Sequence, residues 1–188
     1  MTVSFIRASA RSGYTALGIV ADGETKKYTV PSALVTHLVR GYELSEEEFS
    51  EIVRCDAERR AMDKAASLLA ASDKSRITLR LRLIASGFSR EIAEETVSEC
   101  VRLGYLDEER QLTRLVIREA EGGLRGPKYI MRKLSSRGYS LSDIRRVIDA
   151  LVSSGELDFR ENFSRLAEKR GITDPEELHA LAYKYGYK

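Results

Sequence analysis

One stretch of this 188-residue chain is written twice. Gly87-Phe88-Ser89 returns as Gly138-Tyr139-Ser140, and Gly104-Tyr105-Leu106-Asp107 returns as Gly155-Glu156-Leu157-Asp158, both at an offset of 51 residues. Two unrelated landmarks with one shared spacing define an internal repeat. A repeat of this length is one supersecondary unit whose core is completed by its neighbours, which points to a modular array rather than a single closed domain.

Each copy places apolar residues at helical spacing on both sides of the Gly-aromatic-Ser turn. Before the turn, Leu79 and Leu83 correspond to Ile130 and Leu134, an i, i+4 pair on one helix face. After it, Ala93, Val97, Cys100 and Val101 correspond to Ile144, Ile148, Leu151 and Val152, a stripe at i, i+4, i+7, i+8. Ser89 and Ser140 stand where N-caps belong, and Asp143 three residues after Ser140 resembles a weakened capping box. One local pattern conflicts: Ile77-Thr78-Leu79-Arg80-Leu81-Arg82-Leu83 alternates with the period of a strand. Its second copy, Lys128 to Leu134, does not alternate and follows Gly126-Pro127, a helix start with proline at the first position. The repeat therefore assigns both copies to helix.

A third helix opens on Asp107 and runs to about Ala120, with Leu112, Leu115 and Val116 on one face. The offset carries these to Phe163, Leu166 and Ala167, and back to Ala61, Lys64 and Ala65. The expected organisation is an N-terminal region at 1–55, three-helix repeats at 56–106 and 107–157, and an incomplete repeat at 158–188. In the last, Asp174-Pro175-Glu176-Glu177 reads as an N-cap, an N1 proline and an acidic first turn. Leu178, Ala182 and Gly186-Tyr187 then echo Ile130, Leu134 and Gly138-Tyr139, and the last helix of this unit is missing.

The first 31 residues follow another pattern. Val3–Ile6 and Thr15–Val20 favour strand, Ala21-Asp22-Gly23-Glu24 a turn and Lys27–Val30 a return strand, giving a β-hairpin closed by Pro31. Ser32 to Val39 reads as a short helix. Ser45-Glu46-Glu47-Glu48, before Phe49, Ile52 and Val53, is a capping box; its carboxylates belong to a helix N-terminus rather than to a metal or acid–base cluster.

No apolar run approaches the roughly 20 residues that span a bilayer, and Met1 to Arg11 lacks the apolar core of a secretion signal. A cytosolic protein without membrane association is expected, with Cys55 and Cys100 reduced and packed. Two cysteines and two distant histidines, His37 and His179, offer no metal-ligand spacing, so neither a metal nor a cofactor is expected. Gly122-Gly123-Leu124-Arg125-Gly126 follows a helix and lacks the Lys-Ser/Thr ending of a phosphate-binding loop; it reads as a flexible interhelix loop whose basic neighbours make it a candidate contact. No serine sits in a nucleophile elbow, and no catalytic residues are assigned.

Charge is unevenly spread. With 31 basic and 29 acidic residues the chain is nearly neutral, which argues against a general nucleic-acid sponge. Between Gly122 and Val147, however, stand Arg125, Lys128, Arg132, Lys133, Arg137, Arg145 and Arg146 against the single acid Asp143. The first repeat adds Arg76, Arg80 and Arg82. These are either the solvated faces of amphipathic helices or a surface for phosphates or an acidic protein. Tyr129 and Tyr139 lie close to the patch, Tyr139 at a turn where packing is its expected job.

With these landmarks the chain resembles the RecX family of bacterial regulators over nearly its whole length. The resemblance rests on Ala61 to Leu69 with Ser75, Gly87-Phe88, Gly104-Tyr105-Leu106-Asp107-Glu108-Glu109, and Gly123-Leu124-Arg125-Gly126-Pro127-Lys128-Tyr129-Ile130 with Leu134 and Arg137-Gly138-Tyr139. The N-terminal hairpin with Leu44-Ser45-Glu46-Glu47-Glu48 looks like the extension of longer members. It departs from the family in Ser72-Asp73-Lys74-Ser75, where a basic-x-basic-Ser is usual, and in Leu112-Thr113, where Phe-Ala is usual. The resemblance implies a mainly all-α protein of tandem three-helix repeats in an elongated, curved array that lies along the RecA–DNA filament. It further implies that the protein restrains filament extension, ATP hydrolysis and strand exchange without catalysis of its own.

The expected partner is thus the RecA recombinase filament, with single- or double-stranded DNA as a further contact and a monomeric protein. The residues assigned to the contact are Arg125, Lys128, Arg132, Lys133 and Arg137, then Arg80, Arg82, Arg145 and Arg146. Two other readings stand beside this one: a helical-repeat protein that binds DNA independently of RecA, and an adaptor for another protein.

Overall fold

The computed structural model describes residues 1–188, and the chain divides into two compact units. Met1–Ser67 and Leu83–Cys100 form the first; Leu68–Arg82 and Val101–Lys188 form the second.

The first unit is built on an antiparallel sheet of three strands, β1 (Thr2–Ala8), β2 (Tyr14–Ala21) and β3 (Glu24–Pro31), in the order β1-β2-β3. The expected hairpin is formed by β2 and β3, and the strand expected over Val3–Ile6 joins it as β1, so the N-terminal region is a three-strand meander. Asp22 and Gly23, with φ of 53° and 79°, make the two-residue turn between β2 and β3 that matches strand twist. The period of 2 sends Val3, Leu17, Ile19 and Val30 to one face, where they pack with Val35, Leu38, Leu44 and Ile52. On the other face Phe5 lies over Gly18, where an added Cβ would sit 2.2 Å from the ring. The helix expected over Ser32–Val39 shrinks to a 3-10 turn at Ser32–Val35. The following backbone pairs with β1 instead: Val3 N donates to Tyr42 O, Gly41 N to Val3 O and Leu44 N to Met1 O, at 2.8–2.9 Å. Long-range pairing overrides the local helical pattern.

Helix α1 (Glu46–Ala71) starts at the expected capping box. Ser45 Oγ accepts from Glu48 N, and Glu48 Oε2 accepts from Ser45 N. That backbone bond, followed by a bond to His37, holds the Glu48 carboxyl below its usual range. Further along, α1 caps the outer edge of β3. Asp56 Oδ1 accepts from Thr29 N at 2.9 Å, Arg59 Nε donates to Thr29 O at 3.1 Å, and the two side chains pair at 3.0 Å. A buried ion pair thus stands in for a peptide group, closing a strand edge that would otherwise invite pairing. The helix runs unbroken through residues 55 and 56.

The remaining helices are α2 (Arg76–Ala85), α3 (Arg90–Arg102), α4 (Glu108–Ile117), α5 (Pro127–Ser135), α6 (Leu141–Ser153), α7 (Phe159–Arg170) and α8 (Pro175–Tyr185). Helices α5, α6 and α7 each begin 51 residues after α2, α3 and α4. The strand-like segment Ile77–Leu83 is helical, as the repeat requires. Ser89 caps α3 through Ile92 N, Asp107 caps α4 through Arg110 N, and Asp158 and Asp174 cap α7 and α8. Ser140 holds the cap position of α6 without accepting from a helix backbone N–H; its hydroxyl meets that of Ser142, and Asp143 pairs with Arg146 in place of the weak capping box expected.

In the second unit α4, α5 and α6 enclose one core of Leu112, Leu115, Val116, Ile130, Leu134, Ile144, Val147, Ile148 and Leu151. The buried stripe of α6 is Ile144, Val147, Ile148 and Leu151, at i, i+3, i+4 and i+7, whereas Val152, expected inward at i+8, is 46% exposed. Tyr139 is buried, as expected for a packing residue, and its hydroxyl donates to Gln111 Oε1 at 2.9 Å. A second cluster joins Leu124, Leu166, Leu181 and Tyr185.

The glycine-rich segment after α4 is an ordered junction, not the flexible loop expected. A π-helical turn covers Arg118–Gly122, and Leu124 adopts φ of 46° with its side chain buried in the second cluster. Gly126 N donates to Tyr185 O and Lys128 N to Gly186 O, at 2.8 and 3.0 Å. A Cβ on Gly126 would lie 2.4 Å from the Gly186 backbone, so only glycine permits this approach.

The same joint occurs one repeat earlier. Ser75 and Thr78, at the start of α2, donate hydroxyl bonds to Arg137 O at 3.1 and 2.8 Å. Gly138 follows with φ of 84°. In both joints a helix N-terminus meets the C-terminal glycine turn of the corresponding helix in the next repeat, donors against orphan carbonyls. Arg76 adds a backbone and a side-chain bond to Glu108, and Arg114 pairs with Asp73.

Candidate functional site

The residues expected to form the contact fall into three groups. The first surrounds Tyr129, in the first turn of α5. The Arg125 guanidinium lies 4.5 Å from the ring centroids of both Tyr129 and Tyr185. Arg132 and Lys133 approach the Tyr129 ring at 5.7 and 5.8 Å, and Arg170 approaches Tyr185 at 5.8 Å. Alternating cations and rings thus run from Arg132 through Tyr129, Arg125 and Tyr185 to Arg170, each step within cation–π range.

Within this column the roles differ. Lys133 Nζ sits 2.8 Å from both carboxylate oxygens of Glu119, whose side chain is 10% exposed; it neutralises a charge that could not stand alone there. Arg125 is half-buried between its two rings. Tyr187 donates to Leu124 O, and burial pushes its hydroxyl up to about 12 despite the opposing charge of Arg125. Lys128 and Arg132 remain on the solvent side of α5, one turn apart, and neither makes an ion pair.

The second group lies on α6. Arg145 is exposed, lining a shallow depression with Leu141, Ser142, Arg146 and Asp149. Arg146 pairs with Glu109 at 3.2 Å and Asp143 at 3.5 Å, and the hydrogen bond to Glu109 raises its pKa. Arg137 stands in the turn between α5 and α6, its carbonyl engaged in the first joint. The third group, Arg80 and Arg82, belongs to α2, and both side chains have partners of their own.

Two participants had no sequence signal. Glu119 lies just outside the basic window and 14 positions from Lys133, so pattern reading cannot pair them. Tyr185 reaches Arg125 only because α8 packs onto the glycine-rich junction. No group of His, Cys, Asp and Glu is placed to hold a metal ion, and no helix is long and apolar enough to cross a membrane. The thiols of Cys55 and Cys100 are free, and burial raises both pKa values.

Helices that recur at an offset of 51 residues, with α2 and α5 each joined at the N-terminus to a glycine turn of the next repeat, define a helical-repeat protein. Comparison with known proteins makes the assignment specific. A regulatory protein RecX of Lactobacillus johnsonii is 27% identical over 147 residues, 78% of this chain and 52% of the relative. One from Lactobacillus delbrueckii subsp. bulgaricus is 31% identical over 101 residues, 54% of this chain and 37% of the relative. The chain therefore spans about half, or less, of the length of these curated relatives. No family model matches it. A crystal structure described as regulatory protein RecX shares its fold with a TM-score of 0.70 at 18% identity, covering 99% of this chain and 92% of the other. The chain is thus similar in sequence to curated RecX regulatory proteins and has the fold of a RecX crystal structure.

Proposed function

We propose that this chain is a cytosolic, non-catalytic regulator that binds the RecA recombinase filament and restrains its ATP hydrolysis and strand exchange, with the basic face of the second unit as its contact. The observation that carries this reading is the solvent-side pair Lys128 and Arg132 on α5, free of ion pairs and backed by the stacked Arg125. Cations held at fixed spacing on a rigid helix supply charge complementarity, which sets on-rate and register more than affinity. Arg137 and Arg145 extend the face, whereas Lys133 and Arg146 serve mainly to neutralise Glu119 and Glu109.

The test is the single-stranded-DNA-dependent ATPase of the cognate RecA, titrated with this protein while DNA is in excess. Inhibition well below one copy per RecA, surviving the added DNA, is the expected result. Inhibition only at equal amounts and relieved by more DNA sinks the proposal and favours the second reading, direct DNA binding.

A further inference from the structure

The sheet of the first unit has two faces, and its core uses one of them. Val3, Leu17, Ile19 and Val30 point inward. Strict alternation along β1 would send Phe5 inward beside Val3. The register of β1 on β2 shifts between Val3 and Phe5, however, and this bulge turns Phe5 to the outer face, opposite Gly18. There the ring fills the place of a missing side chain: a Cβ on Gly18 would lie 2.2 Å from it. A bulge and a glycine thus set a half-buried aromatic ring outside the core, on a row of small residues, Ala16 and Gly18.

Cations flank the ring. Lys27 of β3 stands opposite Gly18, and the Arg7 guanidinium lies 5.3 Å from the centroid of the Phe5 ring. Both side chains are exposed and neither makes an ion pair. Acids are kept away from them although this unit, with 10 basic and 14 acidic side chains, is net −4. Asp22 lies in the β2–β3 turn, Glu24 pairs with Ala21 on the inner side, and Glu43 opposes Thr2 at the end away from Arg7. Tyr14 shares the outer face but is engaged by Arg11, which Asp63 holds at 2.8 Å.

We propose that this outer face binds single-stranded nucleic acid, with a base stacked on Phe5 and phosphates met by Arg7 and Lys27. Ring and cations together select the ligand. An unpaired base can lie on an exposed ring, whereas the bases of a duplex are already stacked on one another. An exposed cation–π contact is weaker than base stacking, so the base displaces the Arg7 guanidinium, which turns to the phosphate. An acidic protein surface, such as Glu46, Glu47 and Glu51 at the start of α1 in a second copy, matches the cations but offers nothing flat to the ring. One stacked base and two phosphate contacts make the binding weak, with Kd of roughly 1–100 μM. The site lies in the first unit, apart from the basic face of the second, and does not rest on the RecA reading.

The test uses the full chain without RecA. Anisotropy of a labelled oligodeoxythymidine of about 16 nucleotides is followed at low and raised salt, with oligouridine and a duplex of equal length as competitors. Phe5→Leu should weaken binding about tenfold, while Phe5→Tyr, which keeps the ring, should stay within about twofold of wild type. Arg7→Ala with Lys27→Ala should weaken it about fivefold or more and flatten the dependence of log K on log salt by about 1.4. Lys128→Glu with Arg132→Glu serves as the control in the other unit and should retain binding. The duplex should compete poorly, and the better competitor of the two single strands tells DNA from RNA. Wild-type protein that does not bind, sheet variants that bind like wild type, or a duplex that competes as well as a single strand each overturns the inference, with the RecA reading untouched. Wild-type dimers that Arg7→Ala with Lys27→Ala dissociates in sedimentation assign the face to a second copy and also overturn it. If Phe5→Leu loses the native circular dichroism, the variant at the two exposed cations decides on its own criterion.

Discussion

Helices α2 and α5 hold the same place in successive repeats and agree wherever the fold needs agreement. Each turns an i, i+4 aliphatic pair inward, and each sets its N-terminus against the glycine turn of a later helix. They differ in how the joint is made and in what faces solvent. At α2 the joint uses hydroxyls, Ser75 and Thr78 reaching Arg137 O; at α5 the backbone itself reaches Tyr185 O and Gly186 O. Outside, α2 shows aliphatic chains and α5 shows cations. A repeat protein's core and joints are shared obligations, while its outer faces are free to diverge, so recognition is to be sought where the copies disagree.

The largest effect is expected at the backbone joint. Gly126→Val places side-chain atoms inside the Gly186 backbone, and neither backbone can yield without moving α8. A loss of roughly 3 kcal/mol or more is expected, read as a fall in denaturation midpoint. The hydroxyl joint should be more forgiving. Gly138→Ala meets Ser75 Oγ at 2.7 Å and a φ of 84°, but a hydroxyl can rotate aside, so about 1–2 kcal/mol is expected. A Gly138→Ala loss as large as that of Gly126→Val would erase the distinction between the joints.

Next in size comes the column around Tyr129. Lys133→Ala leaves the buried carboxylate of Glu119 with only the more distant Arg118, at 3.8 Å, and should cost about 2 kcal/mol, whereas Lys133→Ala with Glu119→Gln should recover part of it; equal losses in the single and double variants would show that the pair is not coupled. Tyr187 supplies a pH signature. Its folded-state pKa, about 12, exceeds the usual value of 10.0. The associated stability is therefore full below pH 10.0 and lost as pH rises towards 12. The amount is on the order of 2 kcal/mol, and burial raises Tyr139 in the same direction. Urea melts of wild type and Tyr187→Phe across that window should differ in slope, and parallel curves would remove Tyr187 from the account.

The smallest stability effect is expected at the outer face. Lys128→Glu with Arg132→Glu should leave the denaturation midpoint within about 0.5 kcal/mol of wild type while abolishing most inhibition of the RecA ATPase. Full inhibition by the folded variant would refute the basic-face contact.

The offset of 51 already foretold the starts of α5, α6 and α7 from those of α2, α3 and α4, and it overruled the strand-like alternation of Ile77–Leu83. The capping box at Ser45 and the aspartate caps at Asp107, Asp158 and Asp174 were equally visible, since caps are local bonds between residues two or three apart. The candidate face was legible only as composition. Which of its cations are exposed, stacked or neutralised depends on Glu119 and Tyr185, partners that no spacing along the chain announces.

Periodicity, caps and turn chemistry were thus determined by the sequence alone, because each depends on neighbours within about a turn of chain. The tertiary structure alone decided that Ser32–Val39 would yield its helix to pairing with β1, that the glycine-rich segment would become a backbone joint, and that Asp56 and Arg59 would close the edge of β3. In each case a donor or acceptor unsatisfied locally found its partner far along the chain. The burial of that bond, rather than the propensity of either segment, set the result.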